Sequence, residues 1–147
     1  MFEPVYTDSD FYDHVRQGIA DYQGKPHLFQ SEWRDFQTGP DGEYLDDDTF
    51  LLMPIEQSVF QLALEDWGIW CRWENAFKLG TAPPESHPVL PEDRDRHREI
   101  QRLLKGCLEI DPAKSVRKSA EFRRRNDYTE FRKPNDHPLE VRWFDLE

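Results

Sequence analysis

Two short segments carrying Ile19, Tyr22, Leu28, Phe29 and Trp33 flank Gln23-Gly24-Lys25-Pro26, and this pattern predicts a β-hairpin over Gly18 to Trp33. Gly24 supplies the unusual backbone angle of the turn, and Pro26 opens the returning strand where a missing N–H is tolerated. Before the hairpin the chain is polar and broken by Pro4, which predicts a loosely held arm or edge segment at about residues 1–14. After it, Thr38 to Asp48 combines Gly-Pro, Asp-Gly and an acidic triplet and reads as a loop. Thr49 to Met53 is a nearly unbroken apolar run ended by Pro54, as expected of a central strand.

Helical periodicity takes over at Glu56 and runs to Leu79. At about 100° per residue, Gln57, Gln61, Glu65, Gly68, Arg72 and Asn75 fall on one narrow polar stripe and nearly everything else is apolar. Such a helix packs on more than one side, so it is expected at the centre of the domain. Gly80 follows as its C-terminal stop. Thr81 to Leu90, with three prolines, is a connection. Pro91 then opens a second helix with Glu92 and Asp93 in its first turn, where negative charge is favoured. Ile100, Leu103, Leu104 and Cys107 form its apolar stripe, and Gly106 ends it.

Strand spacing returns in the last third. Val116, Lys118, Ala120 and Phe122 alternate with Arg117, Ser119, Glu121 and Arg123, and Leu139, Val141 and Trp143 alternate with Glu140 and Arg142. The order of hairpin, strand, two helices and two strands predicts an α+β fold. It would be an antiparallel sheet of about five strands packed against the central aromatic-rich helix and the second amphipathic helix, since two helices are too few for parallel crossovers.

At 147 residues, with 37% hydrophobic and 14% aromatic content, the chain suits a single globular domain with one core. Its net charge of -11 disfavours direct electrostatic binding of nucleic acid or of an anionic membrane. The acidity is concentrated: Met1 to Glu56 holds thirteen acidic against three basic side chains. A basic protein partner is the class this charge invites. The N-terminus has no basic-then-apolar leader pattern and no run of about 18 apolar residues occurs, so a cytoplasmic location and no membrane partner are expected. Cys71 and Cys107 both fall in apolar faces and are expected as buried thiols.

Motifs for nucleotide cradling, for a nucleophilic serine, for a zinc helix and for a calcium loop do not occur, and no cofactor is expected. His14, His27, His87, His97 and His137 are scattered over different predicted elements, with Asp93 and His97 alone sharing a helical face, so no metal site is expected. Arg123-Arg124-Arg125 is expected to pair within the molecule, given so many acids.

Two candidate sites remain. On the long helix, Asp66 falls among Leu62, Trp70, Trp73 and Phe77, and Glu74 beside Ala63, Trp67 and Trp70. Carboxylates against indole rings can line a proton-exchanging pocket, or can be buried acids satisfied by hydrogen bonds. The second candidate is the acidic triplet Asp46, Asp47 and Asp48, with Asp41 and Glu43 near it, as a contact for a cation or basic partner or as a solvated loop. The leading functional expectation is a noncatalytic binding or regulatory protein that contacts a basic partner through its acidic first third. The alternative is a small enzyme or small-molecule binder that uses an aromatic pocket with Asp66 and Glu74, with Trp70 and Trp73 in its wall. The apolar excess of the long helix also leaves room for a homodimer.

Overall fold

The computed structural model describes residues 1–11, 15–32, 49–128 and 136–146, with the side chains of residues 10 and 11 outside the description. The chain divides into two compact units, one of Met1–Ile55, Ile110–Arg124 and Leu139–Glu147 and one of Glu56–Glu109 and Arg125–Pro138.

The first unit is a closed barrel of six antiparallel strands in sequence order. They are β1 (Glu3–Phe11), β2 (Val15–Tyr22), β3 (Lys25–Ser31), β4 (Thr49–Pro54), β5 (Val116–Arg124) and β6 (Leu139–Phe144). This corrects the expected open sheet of about five strands packed against helices. The added strand is β1, in the stretch expected to be an arm: it pairs with β2 along most of its length and with β6 through Glu3↔Val141 and Pro4↔Glu140. Those two contacts join the ends of the sheet and leave neither end strand as an edge. Pro4 lacks an N–H and β1 is rich in acids, and these features disguise a strand whose inward positions need only Val5 as a core residue.

Closure lets the sheet bury its apolar face against itself. Val5, Val15, Ala20, Phe29, Phe50, Leu52 and Val141 form the barrel core, with Tyr22, Ala120, Phe122, Leu139 and Trp143 packed on it. Phe29, Phe50, Phe122 and Trp143, one from each of four successive strands, all touch one another, with centroids 5.6 to 6.0 Å apart and no pair stacked face to face. Tilted and edge-to-face contacts place ring edges against ring faces, the favourable quadrupole arrangement. A six-strand barrel is narrow, and these rings fill it.

The β2–β3 turn follows the sequence closely. Gln23 and Gly24 both have positive φ, at 54° and 76°, which is the two-residue turn whose twist matches the strands it joins. Gly18 is fixed by a close approach: a Cβ there would lie 2.1 Å from the Thr7 carbonyl oxygen and 2.9 Å from Phe29 Cζ.

The second unit holds α1 (Gln57–Lys78) and α2 (Arg94–Leu104), the latter led in by a 3-10 turn at Pro91–Asp93. Helix α1 ends as expected at Gly80, with φ of 75°. The Gly80 N–H donates to the Phe77 carbonyl and the Thr81 N–H to the Ala76 carbonyl, so that two terminal carbonyls find donors. Buried Phe60, Ala63, Trp67, Ile69, Cys71 and Trp73 spread over more than one side of α1, while Gln57, Gln61, Glu65 and Arg72 on the polar stripe are exposed. Ile69 packs with Val89, Ile100 and Leu104, supported by Val59, Leu62 and Leu108. Among the described residues no helix is long and apolar enough to cross a membrane. Cys71 is buried but Cys107 is exposed, which corrects the expectation of two buried thiols. Helix α2 ends at Leu104, and the turn at Lys105 and Gly106 carries Cys107 off the apolar stripe.

Candidate functional site

Among the described residues, two places concentrate chemistry. One is on α1 and contains four of the residues singled out from sequence; the other is on the barrel wall and was not foreseen.

Helical spacing sets Trp70, Trp73 and Phe77 in one row on α1, and their rings stack in succession. Trp70 and Trp73 lie 5.6 Å apart at 14°, and Trp73 and Phe77 lie 5.2 Å apart at 16°. The His87 ring stands edge-on to Trp73 at 4.6 Å and to Trp70 at 5.7 Å. The Trp73 indole N–H donates to Ser86 Oγ at 2.9 Å, and that hydroxyl donates to the Pro83 carbonyl at 2.6 Å. The stack is therefore anchored at Trp73, with Trp70 half-buried and Phe77 63% exposed at its far end.

Asp66 and Glu74 are not brought together. Asp66 faces α2, where Oδ1 accepts from His97 Nδ1 at 2.6 Å and Oδ2 from Gln101 Nε2 at 2.7 Å. Glu74 pairs within its own helix with Lys78 at 3.5 Å. Asp93 and His97, which share a face of α2 by sequence, also separate: Asp93 receives the Arg72 guanidinium through two hydrogen bonds of 3.0 and 2.9 Å. That pairing raises the Arg72 pKa. One turn along, Arg96 forks onto Glu65 at 2.5 and 2.7 Å, which raises the pKa of the arginine and lowers that of the carboxyl. Three side chains of α1, Glu65, Asp66 and Arg72, thus make charged or polar ties to α2 or its lead-in turn. An open groove of about 500 Å³ lies beside the Glu65–Arg96 pair, lined also by Ser58, Gln61, Leu62 and Leu64. It belongs to the polar stripe rather than the tryptophan row.

Of the basic triplet, Arg123 pairs with Glu140 at 2.5 Å, and Arg125 with Asp127 at 3.0 Å and Asp136 at 2.7 Å. Asp46, Asp47 and Asp48 lie outside the described residues, as do Asp41 and Glu43.

The second place is at the end of the barrel near the β2–β3 turn. Tyr6 is an extra residue in β1: Val5 faces Ala20 and Thr7 faces Ile19, so two steps of β1 oppose one of β2. A bulge of this kind re-aims a side chain. The Tyr6 hydroxyl donates to the Asp21 carboxylate. Tyr6 is pushed up to about 12 by burial, then by that hydrogen bond and by the charges of Asp21 and Glu3. Asp21 is pushed above the usual carboxylate range, first by burial and also by Glu3, against the lowering influence of Tyr6 and His27. Glu3 is held on the turn by the Gly24 N–H at 2.8 Å, and the main-chain oxygen of Asp21 by the Trp143 indole N–H at 2.9 Å. His27 Nδ1 lies 2.8 Å from the Lys25 carbonyl, which can only accept, so Nδ1 carries the proton. Sequence offered one faint signal here, an aspartate one residue before a hairpin turn; the bulge that places Tyr6 over it leaves no mark in the hydrophobic pattern.

No protein-family model, curated protein or solved structure matches the chain.

Proposed function

We propose that the chain is a noncatalytic binding protein whose acidic first third contacts a basic protein partner in the cytoplasm. What supports this is the way charge is distributed along the chain and over the barrel strands. Two basic side chains of β5 and β6 are engaged by carboxylates of the same two strands, Arg123 with Glu140 at 2.5 Å and Arg142 with Glu121 at 2.7 Å, while Arg117 of β5 takes one acid of the first third, Glu32, at 2.6 Å. The thirteen acidic residues before Gln57 outnumber the three basic ones there by ten, a surplus of charge that favours a basic partner. The filled barrel interior favours recognition on the outer surface over a ligand in the lumen. Binding of this kind is steered by charge and weakens as salt screens it.

The test compares the full chain with a variant carrying Asp46→Asn, Asp47→Asn and Asp48→Asn. Both are immobilised and challenged with basic proteins of a cytosolic extract at salt rising from about 0.05 to 0.5 M. Retention that falls with salt and with the triple substitution supports the reading. Retention indifferent to both removes it.

A second reading keeps Asp66, with Trp70 and Trp73 of the same helix, as part of a small-molecule site, from which Glu74, tied to Lys78, drops out. One observation favours it: the Asp66 carboxylate fixes the His97 imidazole through Nδ1, the way an orienting acid prepares a base. Asp66→Asn separates the two readings, since it leaves salt-dependent binding of a basic partner intact and abolishes a ligand site built on this pair. Exposed Phe77 and Leu79, 63% and 64% accessible at the end of α1, also support self-association as a homodimer, which sedimentation of the full chain over a concentration series would detect.

A further inference from the structure

The tie between Asp66 and His97 leaves one ring nitrogen open. Asp66 Oδ1 takes the hydrogen of His97 Nδ1 at 2.6 Å, and Oδ2 is held by Gln101 Nε2 at 2.7 Å. A carboxylate only accepts, so Nδ1 carries the proton and the neutral ring keeps its lone pair on Nε2. No described residue bonds His97 Nε2, and the unpartnered side-chain atoms that are shut off from solvent are others: Asp21 Oδ1, Glu74 Oε2 and Arg142 Nε. With 32% of its side chain exposed, His97 therefore turns Nε2 to water. The groove beside Glu65 and Arg96 is lined by neither Asp66 nor His97, so this nitrogen is offered on the surface of α2 and not to that groove. Arg94, one turn before His97 on α2, is exposed and holds no carboxylate among the described residues. Side chains three apart on a helix are neighbours.

We infer that His97 Nε2 is a phosphoryl acceptor, modified by a donor of the acyl phosphate or phosphoramidate class. The Nε2 lone pair attacks phosphorus, the P–O or P–N bond to the leaving group breaks, and the leaving group departs with that electron pair. The ring loses no proton. Nδ1 keeps its own, and the positive charge that develops on the phosphorylated imidazole lies against the Asp66 carboxylate, which acts as a positioning residue. Arg94 is placed to pair with the phosphoryl oxygens. A nucleophile on an open helix surface suits transfer from a donor molecule, whereas turnover of a small substrate calls for a site that excludes water. The inference uses the pair of the second reading above but needs neither its small-molecule pocket nor a basic partner, so it stands or falls separately.

The test incubates the full chain with potassium phosphoramidate, which reacts in its N-protonated form and releases ammonia. Phosphorus NMR identifies which ring nitrogen is modified, and peptide mass spectrometry under mildly basic conditions identifies the histidine. His87 is the internal reference, since it is exposed and holds no carboxylate among the described residues. The expected product carries phosphate on Nε2 of His97 and forms about tenfold faster than any product at His87. Asp66→Asn is expected to lower the ratio of the His97 rate to the His87 rate about tenfold, and His97→Gln to remove the fast product altogether. Both rates are read in one chain, so a variant that only loosens the fold leaves their ratio where it was. A His97 rate no greater than that of His87, phosphate on Nδ1 of His97, or a ratio unchanged by Asp66→Asn overturns the inference.

Discussion

His97 on α2 donates a 2.6 Å hydrogen bond to Asp66 on α1, and this contact joins two residues that are thirty-one positions apart. With side-chain exposures of 20% for Asp66 and 32% for His97, the pair is better shielded than Glu65 and Arg96, which are about 40% exposed. Shielding strengthens a charged hydrogen bond, whereas exposed ion pairs contribute little. Asp66→Ala, which also strands Gln101, is expected to cost about 1–3 kcal/mol in chemical denaturation, against about 0–1 kcal/mol for Glu65→Ala. Equal effects from the two would show that the better-shielded tie has no special weight.

Gly18 and Gly68 should respond oppositely to alanine. At Gly18 the new Cβ meets the Thr7 carbonyl at 2.1 Å, a main-chain atom that cannot move aside without disturbing β1. At Gly68 the nearest atom is the tip of Arg72 at 3.8 Å, an ordinary contact. Thermal unfolding is expected to show a loss of about 3 kcal/mol or more for Gly18→Ala and a gain of about 0.5–1 kcal/mol for Gly68→Ala.

Removing one ring of the barrel's aromatic set leaves a hole that the other three cannot fill. Phe50 is 1% exposed and touches Phe29, Phe122 and Trp143. Phe50→Ala is expected to cost about 3–5 kcal/mol and to weaken the near-UV circular dichroism that ordered rings produce. Phe77→Ala, at a position 63% exposed, should cost far less in the same assay.

Asp21 is expected to lower stability at neutral pH. Its carboxyl pKa in the folded chain lies above the ordinary 3.8. Its contribution to stability is therefore fully present below that value and is lost as pH rises through the folded pKa. Asp21→Asn should unfold at a higher temperature than the parent at pH 7, with the difference vanishing as pH falls below about 4. A parent more stable than the variant at pH 7 would contradict the raised pKa.

Tyr6 behaves in the same sense at the alkaline end. Its phenol is raised from 10 to about 12, so the stabilisation tied to its protonated form is complete below pH 10 and disappears between 10 and 12. Absorbance titration of the folded chain should show a late-ionising tyrosine that is missing in Tyr6→Phe.

The sequence by itself determined the elements whose signals are local. A run of apolar residues at helical spacing, closed by Gly80, defines α1 to within a residue or two of its observed Gln57–Lys78. Gln23-Gly24 dictates the β2–β3 turn, and alternation marks β5 and β6, because propensity, turn angle and side-chain period act over a few residues. Tertiary structure alone decided how these elements meet. Closure of the barrel depends on Glu3 and Pro4 reaching Glu140 and Val141, a pairing between the two ends of the chain that neither end's composition announces. The partners of Asp66, Asp93 and Asp21 were decided in the same way, since a charged side chain placed by local periodicity can find its counterpart on any element that folding brings within about 3 Å.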